Sequence, residues 1–259
     1  MVNNQYGNEA LSKEDQLAYQ FANESYKKHK DRRKHIQGYE YDAQLSNENT
    51  VVYHNHQTKD TRIGHRGSTT AFDWLGSDPM IAMGAEDYSS RHKEALQKTK
   101  DAHNKHGYTV SASAHSLGAN IGNWTTEKLA DEEWYTGSTG FNAGVSHFGR
   151  GNPFSKQRRA CRKKNNRPKY CDKTTNIYEK GDYVSNNNAM CSFFTMGMGG
   201  KLCRKQVGYG NQKFYDHTNS KNRFVNALTQ TAFTPVRVFN NGKNHSLSNF
   251  ETQSEPSKS

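Results

Sequence analysis

Residues 108–124, YTVSASAHSLGANIGNW, constrain the fold more than any other stretch of the chain. Tyr108 to His115 is rich in small and β-branched residues and reads as a strand. Leu117 to about Ala130 reads as a helix, so Ser116 alone is left to make the turn. A strand-to-helix turn this tight accepts only small flanking side chains. Ala114, Gly118 and Ala119 supply them, in the spacing of a G-x-S-x-G element with Ala114 at the first glycine. Alanine meets the steric demand with more backbone strain. Such a turn exposes its serine at the carboxyl end of a sheet and aims the next backbone N–H at a developing oxyanion. The competing reading is an ordinary helix N-cap at Ser116.

The rest of the chain alternates in the same way. "NTVVYHNH", "TRIGHRG", "STGFNAGV", "TTNIYEKGDYVS" and "FTPVRVF" read as strands. Ala10 to about Ile36 reads as a helix, with Leu11, Ala18, Phe21 and Ala22 at helical spacing. Its last turns, "KKHKDRRKH", read as a solvated basic end favoured by the helix dipole. Glu86 to about His106 reads as a second helix, stopped by Gly107. This alternation predicts an α/β fold: a largely parallel sheet flanked by helices, behind an N-terminal helix. The 259 residues are expected to form one domain with a frayed tail, "ETQSEPSKS". A basic segment at about 152–173, containing "SKQRRACRKKNNRPKY", lacks apolar periodicity and reads as an insertion or long loop.

Composition narrows the partners. Apolar residues make up 32% of the chain and the mean hydropathy is -1.10, which predicts a lean core. The net charge of +11 favours anionic partners: acidic lipid headgroups, phosphorylated substrates or nucleic acid. No zinc-finger, RNA-recognition or recognition-helix pattern accompanies the charge, so nucleic acid is disfavoured. No apolar run of about 20 residues exists and the N-terminus has no apolar signal region, so a cytoplasmic or virion-associated chain is expected. Cys161, Cys171, Cys191 and Cys203 lack C-x-x-C spacing; free buried thiols and one or two disulfides are both open readings.

A nucleophilic serine needs a base, and the base needs an orienting acid. On an α/β scaffold of this type the chain order is serine, acid, histidine. Asp182, in "EKGDYVS", follows a predicted strand at a glycine turn, and His245, in "GKNHSLSNF", follows another. His147, His217, Asp172 and Asp216 are rivals, each with an ordinary surface or capping role as its alternative.

At these residues the sequence resembles the class 3, or fungal-type, lipase family of α/β-hydrolases. "GHRGSTTAFDW", "ASAHSLGA", "GDYVS" and "NHSLSNF" match in order and frame Ile63 to Phe250. The resemblance implies that Ser116 is the nucleophile, Asp182 the acid and His245 the base. It implies an oxyanion hole from Ser68 and the N–H of Leu117, and a lid in "TTAFDWLGSDPM" with Phe72 and Trp74 as its apolar face. His65 stands where the family has an aromatic residue, and Ala114 and Ala119 where it has glycines. The compact "NHSLSNF" ending is similar to lipase-like proteins of large DNA viruses. The implied activity is serine-dependent hydrolysis of lipid esters, of lipase or phospholipase A type, with no cofactor or metal. The positive charge favours peripheral contact with an anionic membrane surface and a phospholipid substrate. The alternative is a non-catalytic lipase-like structural or virion-associated protein.

Overall fold

The computed structural model describes residues 11–68, 86–144, 155–163, 165–179, 210–215 and 247. Helix α1 (Lys13–Glu24) starts at Ser12, whose hydroxyl oxygen accepts from the Asp15 N–H at 3.1 Å. The helix ends twelve residues before Ile36, earlier than its composition predicts. Within the helix the buried apolar stripe runs to Ala22, and past the helix end Tyr26 packs against the same cluster. The basic residues fold back. Lys27 Nζ and Arg33 Nε lie 2.7 and 2.6 Å from the fully buried Glu24 carboxylate. Arg32 is itself buried, donating to Lys27 O, Tyr41 Oη and Asn47 O. This stretch is a folded connection rather than a solvated helix end. It runs through a 3-10 turn (His29–Asp31) into the short strands β1 (His35–Ile36) and β2 (Tyr39–Tyr41).

Strands β3 (Thr50–Asn55) and β4 (Asp60–His65) come next. A 3-10 turn (Glu86–Tyr88) precedes helix α2 (Ser90–His106), which ends at Gly107 in the left-handed conformation. Strand β5 (Thr109–His115), helix α3 (Leu117–Lys128) and strand β6 (Tyr135–Phe141) follow. The basic insertion carries helices α4 (Lys156–Cys161) and α5 (Lys169–Lys173), stapled by a Cys161–Cys171 disulfide. It is thus a cross-linked helical hairpin, not a long loop, and these two cysteines are not free thiols. Strands β7 (Thr174–Glu179) and β8 (Asn211–Tyr215) complete the described sheet.

Among the described residues the strands lie in sequence order from β1 to β8. Neighbours from β1 to β4 are antiparallel, and those from β4 to β8 are parallel. The predicted α/β class with a mostly parallel sheet is the observed one. Helix α1 covers one face, where Ala18, Tyr19 and Ala22 meet Phe141, Ile177 and Leu247. Helices α2 and α3 cover the other, with Ala102 against Ile63 and Val110, and Ala119 against Ala114 and Tyr178. The low apolar content is accommodated by polar pairs in the interior. Asn123 Nδ2 donates to Asn176 Oδ1 at 3.1 Å, and Thr126 Oγ1 donates to Ser138 Oγ at 2.8 Å. No helix among the described residues is long and apolar enough to cross a membrane.

Candidate active site

The register of the parallel strands brings two loops to one edge of the sheet. His65 pairs with Ala114 across β4 and β5, so the chain leaves β4 toward Ser68 beside the point where it leaves β5 toward Ser116. Gly140 and Asn176 continue the same line across β6 and β7. Ser116 is the sole residue between β5 and α3. Its backbone has φ 55° and ψ -125°, in a region that residues with a Cβ rarely adopt. Its side chain makes no capping hydrogen bond to the helix, which sets the N-cap reading aside.

Backbone bonds hold this strained turn. The Ser116 N–H donates to Phe141 O at 3.0 Å, and Ser116 O accepts from the N–H groups of Ala119, Asn120 and Gly144. Leu117 opens α3, so its N–H has no acceptor within the helix and points out of the helix N-terminus. Close packing explains the small residues. A methyl group on Gly118 would stand 2.2 Å from His65 O, and one on Gly140 would stand 2.9 Å from Ala119 Cβ. The bare Gly140 therefore makes room for alanine at 119, where the family pattern has glycine.

The Arg66–Ser68 loop is fixed from two sides. Arg91 donates to Arg66 O at 2.7 Å. On the other side Gly67 packs against the hydroxyl of Tyr26, which also lies 2.9 Å from His115 Nδ1. Tyr26 was not a sequence candidate: it precedes the basic run, and only the fold brings it beneath the site. His65 is buried, and burial, reinforced by Arg91 and His92, lowers its pKa to about 3. It is a neutral ring at physiological pH, which reconciles it with the aromatic residue expected there. His92 Nε2 lies 3.0 Å from Asn120 Oδ1 and its ring meets Trp124 edge-on.

Not every candidate can be placed. Asp182, His245, Phe72, Trp74, His147, His217, Asp216, Cys191 and Cys203 lie outside the described residues. Asp172 is described: it sits in α5, before the start of β7, and pairs with Arg167 at 3.3 Å. That is the end of the sheet opposite Ser116, which removes it as a triad member. Glu179, which sequence reasoning passed over, is a buried carboxylate at the end of β7; its N–H donates to Asn142 Oδ1 at 2.8 Å. Among the described residues no group of three or more His, Cys, Asp or Glu side chains converges to hold a metal ion.

Neither a protein-family model nor a curated protein matches the chain. Solved structures do. A triacylglycerol lipase whose catalytic centre is formed by a serine protease triad matches at 14% identity with a TM-score of 0.50, over 82% of this chain and 84% of that one. A triacylglycerol lipase from Penicillium expansum matches at 17% identity with a TM-score of 0.47, over 78% and 79%. The Rhizomucor miehei lipase propeptide complex matches at 14% identity with a TM-score of 0.44, over 72% and 67%. At these identities the likeness is one of fold: the chain has a lipase-like α/β-hydrolase fold.

Proposed function

We propose that this chain is a serine acyl-ester hydrolase acting on lipid esters. The observation that carries the reading is the Ser116 turn, with its positive φ and the Leu117 N–H beside it at the carboxyl end of the sheet. Ser116 Oγ attacks the ester carbonyl, and His245 takes its proton while Asp182 orients the imidazole. The N–H groups of Ser68 and Leu117, with the Ser68 hydroxyl, hold the oxyanion. The tetrahedral intermediate collapses, His245 protonates the departing alcohol, and water then releases the acid from the acyl-enzyme.

Two described residues support the partners. Glu179 ends β7 on the Ser116 side, three residues before Asp182. Leu247, two residues beyond His245, packs with Phe141 and Ile177 near the carboxyl ends of their strands. Ser116 is 4% exposed, which supports a cover such as the segment holding Phe72 and Trp74. A phospholipid substrate at an anionic surface is the finer reading. It rests on exposed Lys156, Arg159, Arg162 and Lys163, because Lys169, Lys173 and Arg167 are engaged with Asp131, backbone carbonyls and Asp172.

Ser116→Ala tests the reading. The variant is expected to fold with the parent's circular dichroism spectrum, to lose hydrolysis of p-nitrophenyl butyrate and to escape labelling by a fluorophosphonate probe. Parent-like hydrolysis by the variant would show that Ser116 is not the nucleophile.

A further inference from the structure

Tyr26 lies outside the sheet, two residues past α1, yet its single hydroxyl touches both halves of the candidate site. It lies 2.9 Å from His115 Nδ1, next to Ser116, and Gly67 packs directly against it. The hydroxyl and Nδ1 share one hydrogen bond, whose donor is set by the His115 tautomer. Burial pushes the Tyr26 pKa well above the ordinary phenol value, against the opposing Gly67 N–H, Arg66 and Arg91, so the hydroxyl stays protonated.

Packing carries the same message independently. A methyl group on Gly67 would stand 2.3 Å from Tyr26 Oη, 2.6 Å from His115 O and 3.3 Å from Ser116 Cβ. Gly67, Tyr26 and the Ser116 turn therefore meet at one point. The β4–β5 ladder ends at the His65–Ala114 pair, before either loop reaches that point. Tyr26 supplies a link there that the sheet does not.

We propose that Tyr26 is a positioning residue whose hydroxyl clamps the Gly67–Ser68 loop to the Ser116 turn and so holds the two oxyanion donors, the N–H groups of Ser68 and Leu117, at a common spacing. The proposal rests on the hydrolase reading above. It predicts a penalty in turnover rather than in substrate binding, because oxyanion donors act on charge that develops only in the transition state.

The test is Tyr26→Phe, which keeps the ring and deletes the clamp. Rates are expressed per Ser116 titrated with the fluorophosphonate probe, so that misfolded protein does not count. On p-nitrophenyl butyrate, kcat is expected to fall about 10- to 100-fold while KM stays within about twofold. An alkyl boronic acid, which forms a tetrahedral adduct with the serine, should lose affinity by the same factor as kcat/KM. A role in stability alone would lower the titrated fraction and leave the rate per site unchanged. Gly67→Ala wedges the loop with the hydroxyl intact and should give the same kcat-selective loss; it decides the matter if Tyr26→Phe does not fold. The double variant should be little worse than either single one. Rates per site within about twofold of the parent in both variants would overturn the clamp alone. A parent that neither takes the probe nor hydrolyses the ester would overturn the hydrolase reading and the clamp with it.

Discussion

A methyl group on Gly118 would stand 2.2 Å from the carbonyl oxygen of His65, so the first turn of α3 rests directly on the end of β4. Gly118→Ala should cost about 1–3 kcal/mol and displace the Leu117 N–H, lowering both the thermal midpoint and ester turnover. Gly122 lies one turn further along the same helix, where a methyl group would meet Ser138 Cβ at an ordinary 3.6 Å. Gly122→Ala should gain about 0.5–1 kcal/mol from helix propensity. Equal midpoints for the two variants would contradict the packing described here.

His65 makes the fold acid-sensitive. Its folded pKa of about 3 lies below the unfolded value of 6.5, so between those limits the unfolded chain binds more protons. The stability it leaves intact above pH 6.5 is lost as pH falls toward 3, by at most about 1.4 kcal/mol per pH unit. His65→Phe fills the site with a ring that does not titrate. Urea midpoints from pH 7 to 4 should fall less steeply for this variant than for the parent; parallel slopes would remove His65 as the cause.

The Cys161–Cys171 bond closes a loop with a sequence separation of 10 residues. Restricting the unfolded chain over that span stabilises the fold by about 3 kcal/mol on the loop-entropy account. The double variant Cys161→Ala, Cys171→Ala should unfold at a clearly lower temperature. An unchanged midpoint would mean that the hairpin frays without consequence for the sheet.

If the exposed cations of α4 and the two residues after it recruit the protein to anionic lipid, hydrolysis of anionic vesicles should fall as salt shortens the Debye length from about 10 Å at 0.1 M to about 3 Å at 1 M. Hydrolysis of a soluble ester should hardly change. Changing Arg159, Arg162 and Lys163 together to Gln should reproduce the vesicle loss at low salt. Full vesicle activity in that variant, with no salt dependence in the parent, would make the hairpin a structural insertion only.

What the sequence determined by itself is local. Val110 to His115 followed by one serine and a run of small residues admits a strand, a tight turn and a helix, and the structure has them within one or two residues. Phe21 and Ala22 announce the buried stripe of α1 because periodicity is a property of neighbours along the chain. The mostly parallel sheet follows from the same alternation.

Long-range partners decided the rest. Helix α1 stops at Glu24 because that carboxylate collects Lys27 and Arg33 from beyond the helix end. Strands β1 and β2, of two and three residues, and the polar strand β8 carry no periodic signal of their own; they extend because the sheet offers each a hydrogen-bonding edge. The choice between thiol and disulfide for Cys161 and Cys171 was settled by two short helices meeting. Tyr26 looked like one aromatic residue beside a run of lysines. Only tertiary packing put its hydroxyl between Gly67 and His115, because a hydrogen bond spanning 89 residues of sequence leaves no mark on the residues adjacent to either partner.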